Sequence, residues 1–234
     1  MTLILAWLGV FIAWLLSASG ASIGGAPNAS AGSGAICGPR KAASILARGG
    51  IRVYALPAHA GEHSERLFGC LGGATRSYRL NATPRRPVFG EDRSVSVGTK
   101  TITVNAPRIA YTEVFYGRDT SVLAIAVRDL SRGTVAYCKA AFTEAPASVP
   151  VIKKIALSST WSVGWIGRSR PPHESGRSPL IPSVGVCDAG GPRVIESGEG
   201  IDLNSLGLHG VRLTWLNAGT QHSIQLTPKG GPKQ

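Results

Sequence analysis

The chain has 234 residues, 43% hydrophobic and 16% charged, with 25 Lys and Arg against 13 Asp and Glu for a formal charge of +12. This balance excludes a disordered polyelectrolyte and suits one well-buried domain or at most two small ones. With 30 Gly and 15 Pro, turns are frequent, and many short strands fit better than long helices.

The N-terminal stretch Leu3 to Leu16 is an uncharged apolar run, followed by the small residues Ser17, Ala18, Ser19, Gly20 and Ala21. This is the pattern of a secretory signal over residues 1–20, with an uncleaved anchor as the alternative because no Lys or Arg precedes the run. Once a signal is cleaved, no membrane span remains. Residues 21–36 are mostly Gly, Ala, Ser, Pro and Asn and read as a flexible tether. All the charge follows, beginning at Arg40, so the folded part is itself the basic object. Such a surface attracts anionic polymers in a salt-sensitive way.

A single β domain is expected over residues 37–227, with a flexible tail at 228–234. Within it a loose repeat of about fifty residues recurs, with units near 44–80, 94–138, 151–196 and 201–226. Four short strands align: Val53 to Pro57, Ile109 to Glu113, Val163 to Gly167 and Leu213 to Asn217. Apolar alternation precedes them, as in Ile102 and Val104 or Ile155 and Leu157, so each reads as the second half of a hairpin. Further β runs follow in the first three units, giving about four strands per unit, whereas the fourth stops after Leu226. Asp129 and Asp188 open Gly-containing turns and suit Asx roles there.

Four-stranded units in tandem are the signature of propeller blades, so the fold class is all-β and propeller-like, with a two-sheet β-sandwich as the alternative. Leu213-Thr214-Trp215-Leu216-Asn217 resembles the YWTD-type blade strand of extracellular propellers, and Ile109 to Glu113 resembles it more loosely. From Cys37 to Leu226 the chain is also similar to a group of uncharacterised exported actinobacterial proteins, above all over Ser205 to Leu226. The resemblance implies a propeller-like fold and secretion, and it carries no activity or catalytic residue. The truncated fourth unit calls for a completing strand, for which the segment from Ile36 to Arg40 is the natural donor.

Cys37, Cys70, Cys138 and Cys187 are an even, widely spaced set in a chain with an export signal, and disulfides are expected. Of the three pairings, Cys37 with Cys70 and Cys138 with Cys187 are favoured because each joins neighbouring segments of the repeat. No C-x-x-C spacing exists, so no metal site is expected, and no cofactor motif or nucleic-acid module is recognisable.

His59 and His63 lie four residues apart, but Pro57 and Gly61 make their segment a connecting loop rather than a helical metal site. The best candidate contact residues are basic and lie in Pro-rich loops: Arg85 and Arg86 in one, and Arg168, Arg170, His173 and Arg177 in the other. Trp165 and Trp215 take core positions in the aligned strands, while Trp161 falls between strands and sits differently.

These features point to a secreted, disulfide-stabilised binding or scaffold protein without an identified ligand. One alternative is a hydrolase or lyase whose acidic and His residues converge at the propeller centre. The other is a basic protein attached to the anionic cell envelope. Convergence of His59, His63, Glu113, Asp129, Asp188 and His209 on one cavity would favour the enzyme, and their dispersal the scaffold.

Overall fold

The computed structural model describes residues 37–59, 65–81, 89, 94–144, 149–170 and 178–232. They form fifteen strands and no helix. The strands are β1 (Ala43–Arg48), β2 (Ile51–Leu56), β3 (Arg66–Leu71), β4 (Ser77–Arg79), β5 (Ser94–Asn105), β6 (Arg108–Tyr116), β7 (Thr120–Asp129) and β8 (Val135–Glu144), then β9 (Val151–Leu157), β10 (Val163–Ser169), β11 (Ile181–Asp188), β12 (Gly191–Ser197), β13 (Gly207–His209), β14 (Arg212–Asn217) and β15 (Thr220–Gln225). They pair as four antiparallel meanders in chain order, β1 to β4, β5 to β8, β9 to β12, and the three-stranded β13 to β15. The aligned segments fall in β2, β6, β10 and β14, the second strand of each sheet.

The sheets pack face to face in the order of the chain, and the period of two along each strand explains how. Ile109 and Tyr111 of β6 face the first sheet, where Ile51, Val53 and Leu67 meet them. Ala110, one residue out of phase, joins Leu123 and Ile125 against Ile155, Val163 and Trp165 of the third sheet. On β10 the same alternation sends Trp165 toward the second sheet and Ile166 toward Leu213 and Trp215 of the fourth. Strands of the two middle sheets are thus buried on both sides, which is why β7 and β11 read as nearly continuous apolar runs.

The two outer faces of this array are closed differently. On the first sheet, the segment Cys37 to Ala42 lies over the outward side of β2 and β3. Cys37 is bonded to Cys70 there, and the buried Arg52 guanidinium donates to the carbonyls of Cys37, Pro39 and Ala42 at 2.7–3.1 Å. Cys37 to Arg40 therefore covers the first sheet and does not complete the fourth, which has three strands among the described residues. The rigid pull of the disulfide and of Arg52 decides this. The outer face of the fourth sheet carries Arg212, Thr214, Gln221, Ser223 and Gln225, partly or fully exposed.

The second disulfide, Cys138 to Cys187, ties β8 to β11 across the middle interface. The first strands of successive sheets lie nearest one another: β5 runs along β9, β1 touches β5 and β13 touches β9. Among the described residues no hydrophobic cluster joins the first sheet to the fourth.

Candidate functional site

At one end of the second and third sheets, three turns converge: Asn105 to Arg108, Asp129 to Thr134, and Ser158 to Ser162. Each has its own local cause. The Asp129 carboxylate accepts from the Ser131 amide at 2.8 Å, the Ser131 hydroxyl at 2.5 Å and the Arg132 amide at 3.2 Å, an Asx turn. Burial pushes this carboxyl up, but those hydrogen bonds and nearby Arg108 outweigh it and hold it below the usual aspartate value. In the third turn, Ser158 Oγ accepts from the amides of Thr160 and Ser162. Trp161 between them adopts φ 64°, a left-handed conformation that a large side chain rarely takes.

Between these turns lies a cleft of about 340 Å³ lined by Pro107, Arg108, Asp129, Ser131, Arg132, Thr134, Trp161, Gly231 and Pro232. Arg108 forms its wall. Its Nη1 donates to the Ser159 carbonyl at 2.5 Å, its guanidinium lies 5.3 Å from the centre of the Trp161 ring, and its Nε is 3.9 Å from Asp129 Oδ2. That Nε is buried without a hydrogen-bond partner. Arg132 stands exposed at the rim. The C-terminal segment runs over the cleft, anchored by Thr227 N to Asp188 Oδ2 at 3.0 Å, Ser162 Oγ to Thr227 O at 2.8 Å and Lys229 N to Thr160 O at 3.0 Å.

Of the residues expected to form the site, Arg168 and Arg170 are described and do not line this cleft. Arg168 lies at the opposite end of β10 from Trp161 and donates to the Leu180 carbonyl at 3.2 Å, and Arg170 follows just beyond that strand end. Arg85, Arg86, His173 and Arg177 lie outside the described residues, as does His63. His59 contacts Arg66.

The acidic groups are dispersed. Glu113 is buried within the second sheet, where Tyr111 and Tyr137 hydrogen-bond to it. Desolvation still pushes its carboxyl up to about 7 against those bonds and the charge of Arg128. Asp188 is gripped by the Arg193 fork at 2.6 and 3.0 Å, which holds its carboxyl below the usual range. His209 ends β13. Glu196 accepts from Trp215 Nε1 and Asn217 Nδ2 at 2.5 Å each and lies 3.2 Å from His222 Nδ1, a cluster no local motif announces. Among the described residues no group of three or more His, Cys, Asp or Glu gathers to hold a metal, and no helix is long and apolar enough to cross a membrane.

Sequence reasoning missed the cleft because its members come from three turns separated by tens of residues. The one local signal was Trp161 itself, an indole set among Ser158, Ser159, Thr160 and Ser162; in the structure it is half-buried, packing on the core of the second and third sheets while lining the cleft. Comparison with protein-family models and with curated proteins finds no match.

Proposed function

We propose that the chain is an exported, disulfide-stabilised binding protein on a propeller-like scaffold, with the cleft at Arg108 and Trp161 as its ligand site. The observation that carries this is the separation of the titratable side chains. Glu113, Asp188 and Glu196 are held by their own donors outside the cleft lining, whereas the cleft offers guanidinium, hydroxyl and indole groups and one carboxylate, Asp129, already engaged by Ser131 and Arg132. Those groups hold a ligand by charge, hydrogen bond and stacking and supply no acid and base pair.

Two disulfides favour an oxidising, extracytoplasmic compartment, in keeping with the signal pattern and the resemblance to exported actinobacterial proteins. Nearness of the first strands of successive sheets supports a propeller-like arrangement, in which those strands line the axis. A second reading, attachment to an anionic component of the cell envelope, is favoured by the net charge of +12 and by exposed Arg48, Lys153 and Arg212.

Fractionating cells that express the full chain, with thiols alkylated before any reduction, tests the proposal. The expected result is an extracytoplasmic protein with all four cysteines protected, retained on isolated envelope at low ionic strength and released as salt screens the charge. A reduced, cytosolic protein, or one with no retention at any salt, would overturn it.

A further inference from the structure

Resting on the proposal that this is a binding protein, we infer that the cleft between the second and third sheets takes a carboxylate-bearing sugar, and that the chain's own C-terminal tail is its competing occupant. The charge balance selects the anion. Arg108 and Arg132 face the cleft with Asp129, leaving one net positive charge, which suits a single carboxylate rather than a doubly charged phosphate monoester. Arg108 Nε is buried without a hydrogen-bond partner, 3.9 Å from Asp129 Oδ2, so this guanidinium is not saturated by the protein, and a planar guanidinium matches a carboxylate in two-pronged fashion.

The indole selects the sugar. Trp161 is held at φ 64° by the Ser158 hydrogen bonds, and backbone conformations this unfavourable persist where the surroundings enforce them, typically at binding sites. The ring packs against the core cluster of the second and third sheets and also lines the cleft. An indole packs against the C–H face of a pyranose, while the Ser131 and Thr134 side chains at the same wall suit hydroxyl groups.

The tail now covers that ring. A β-carbon on Gly231 would stand 2.9 Å from Trp161 Cε2 and Nε1, so only glycine lets the backbone lie so close to the indole. Pro232 follows in the cleft lining. The backbone hydrogen bonds that anchor the segment end at Lys229. Beyond that residue the described tail meets the cleft through packing on Trp161, a contact a sugar can replace.

The test is calorimetric titration of the full chain with a linear tetramer of galacturonate, its fully methyl-esterified neutral form, and inorganic phosphate. The expected result is salt-sensitive binding of the acidic tetramer, with the ester and phosphate weaker by about tenfold or more. Arg132→Glu and Trp161→Gly should each weaken it by about tenfold. The first residue is exposed, and glycine accepts the left-handed backbone of the second, so both variants are expected to fold. Ending the chain at Pro228, or Gly231→Val, should tighten binding by removing the competitor. Equal binding of the ester, tighter binding of phosphate, or no tightening on tail removal would overturn the inference. Acidic-tetramer binding untouched by both site variants would also overturn it, and with it the placement of the ligand site in this cleft, while leaving an exported binding protein. Absence of tetramer binding by the full and shortened chains overturns the inference alone, since the proposal fails on a reduced, cytosolic protein or on the loss of envelope retention.

Discussion

Leu213 of β14 occupies the space above Gly164 of β10: a β-carbon at position 164 would stand 2.4 Å from Leu213 Cδ1. The third and fourth sheets are close at this point because one side contributes no side chain, and Leu213 is fully buried as a result. Gly164→Ala should therefore destabilise the protein by about 1–3 kcal/mol through overpacking. Leu213→Ala should cost about 2–5 kcal/mol through the cavity it leaves. Urea denaturation of the double variant should show less than the summed loss, because each change relieves the other.

Removing the staple between the middle sheets is a separate test. Cys138 and Cys187 close a span of 49 residues, and replacing both with Ala should lower stability by about 4 kcal/mol in the chain-entropy picture. The midpoint of chemical unfolding should fall, with strand content by circular dichroism unchanged below the transition. A shift of under 1 kcal/mol would mean that the denatured chain is not loosened as that picture requires.

Glu113 should make stability fall as pH rises across the mildly acidic range. Desolvation raises its carboxyl to about 7 in the folded chain from an ordinary value of 4.5. Between those values the folded chain keeps a proton that the unfolded chain has released, so unfolding gains ground with increasing pH. The full effect is about 3 kcal/mol and levels off above pH 7. Glu113→Gln keeps an acceptor for the two tyrosine hydroxyls and cannot ionise, so its stability at pH 8 should exceed that of the unaltered protein and its slope across this window should flatten.

Asp188 should act in the opposite sense. Its depressed carboxyl contributes stability that is present above the ordinary value of 3.8 and is lost as pH falls through the lower folded value. Because Oδ2 accepts from the Thr227 amide, Asp188→Asn should cost about 2 kcal/mol and weaken the anchor of the C-terminal segment. Hydrogen exchange should show faster exchange of the Thr227 and Lys229 amides in the variant. Unchanged protection would mean that Ser162 and Thr160 hold the tail alone.

Much of the β structure was legible because strand chemistry is local. The Leu213, Trp215 alternation is sharp because the fourth sheet has one exposed face, and the Asx turns at Asp129 and Asp188 follow from a carboxylate placed two residues before an amide it can accept from. The cysteines, too, announced disulfides by number and spacing. Less was legible where a residue's partner lies in another sheet. Arg52 reads as an exposed strand residue until the carbonyls of Cys37, Pro39 and Ala42 surround it. Trp161 and Arg108 read as unrelated residues of two different turns.

What the amino-acid sequence by itself determined is the all-β class, because period-two patterning and Gly-containing turns act over a few residues, and the oxidised state of the cysteines. Only the tertiary structure decided that four sheets stack in chain order, that the first is covered by Cys37 to Ala42, and that Arg108, Arg132 and Trp161 share one cleft. Packing is the physical reason. Each of these depends on which apolar faces meet, and burial rewards area without regard to the distance along the chain between the residues that supply it.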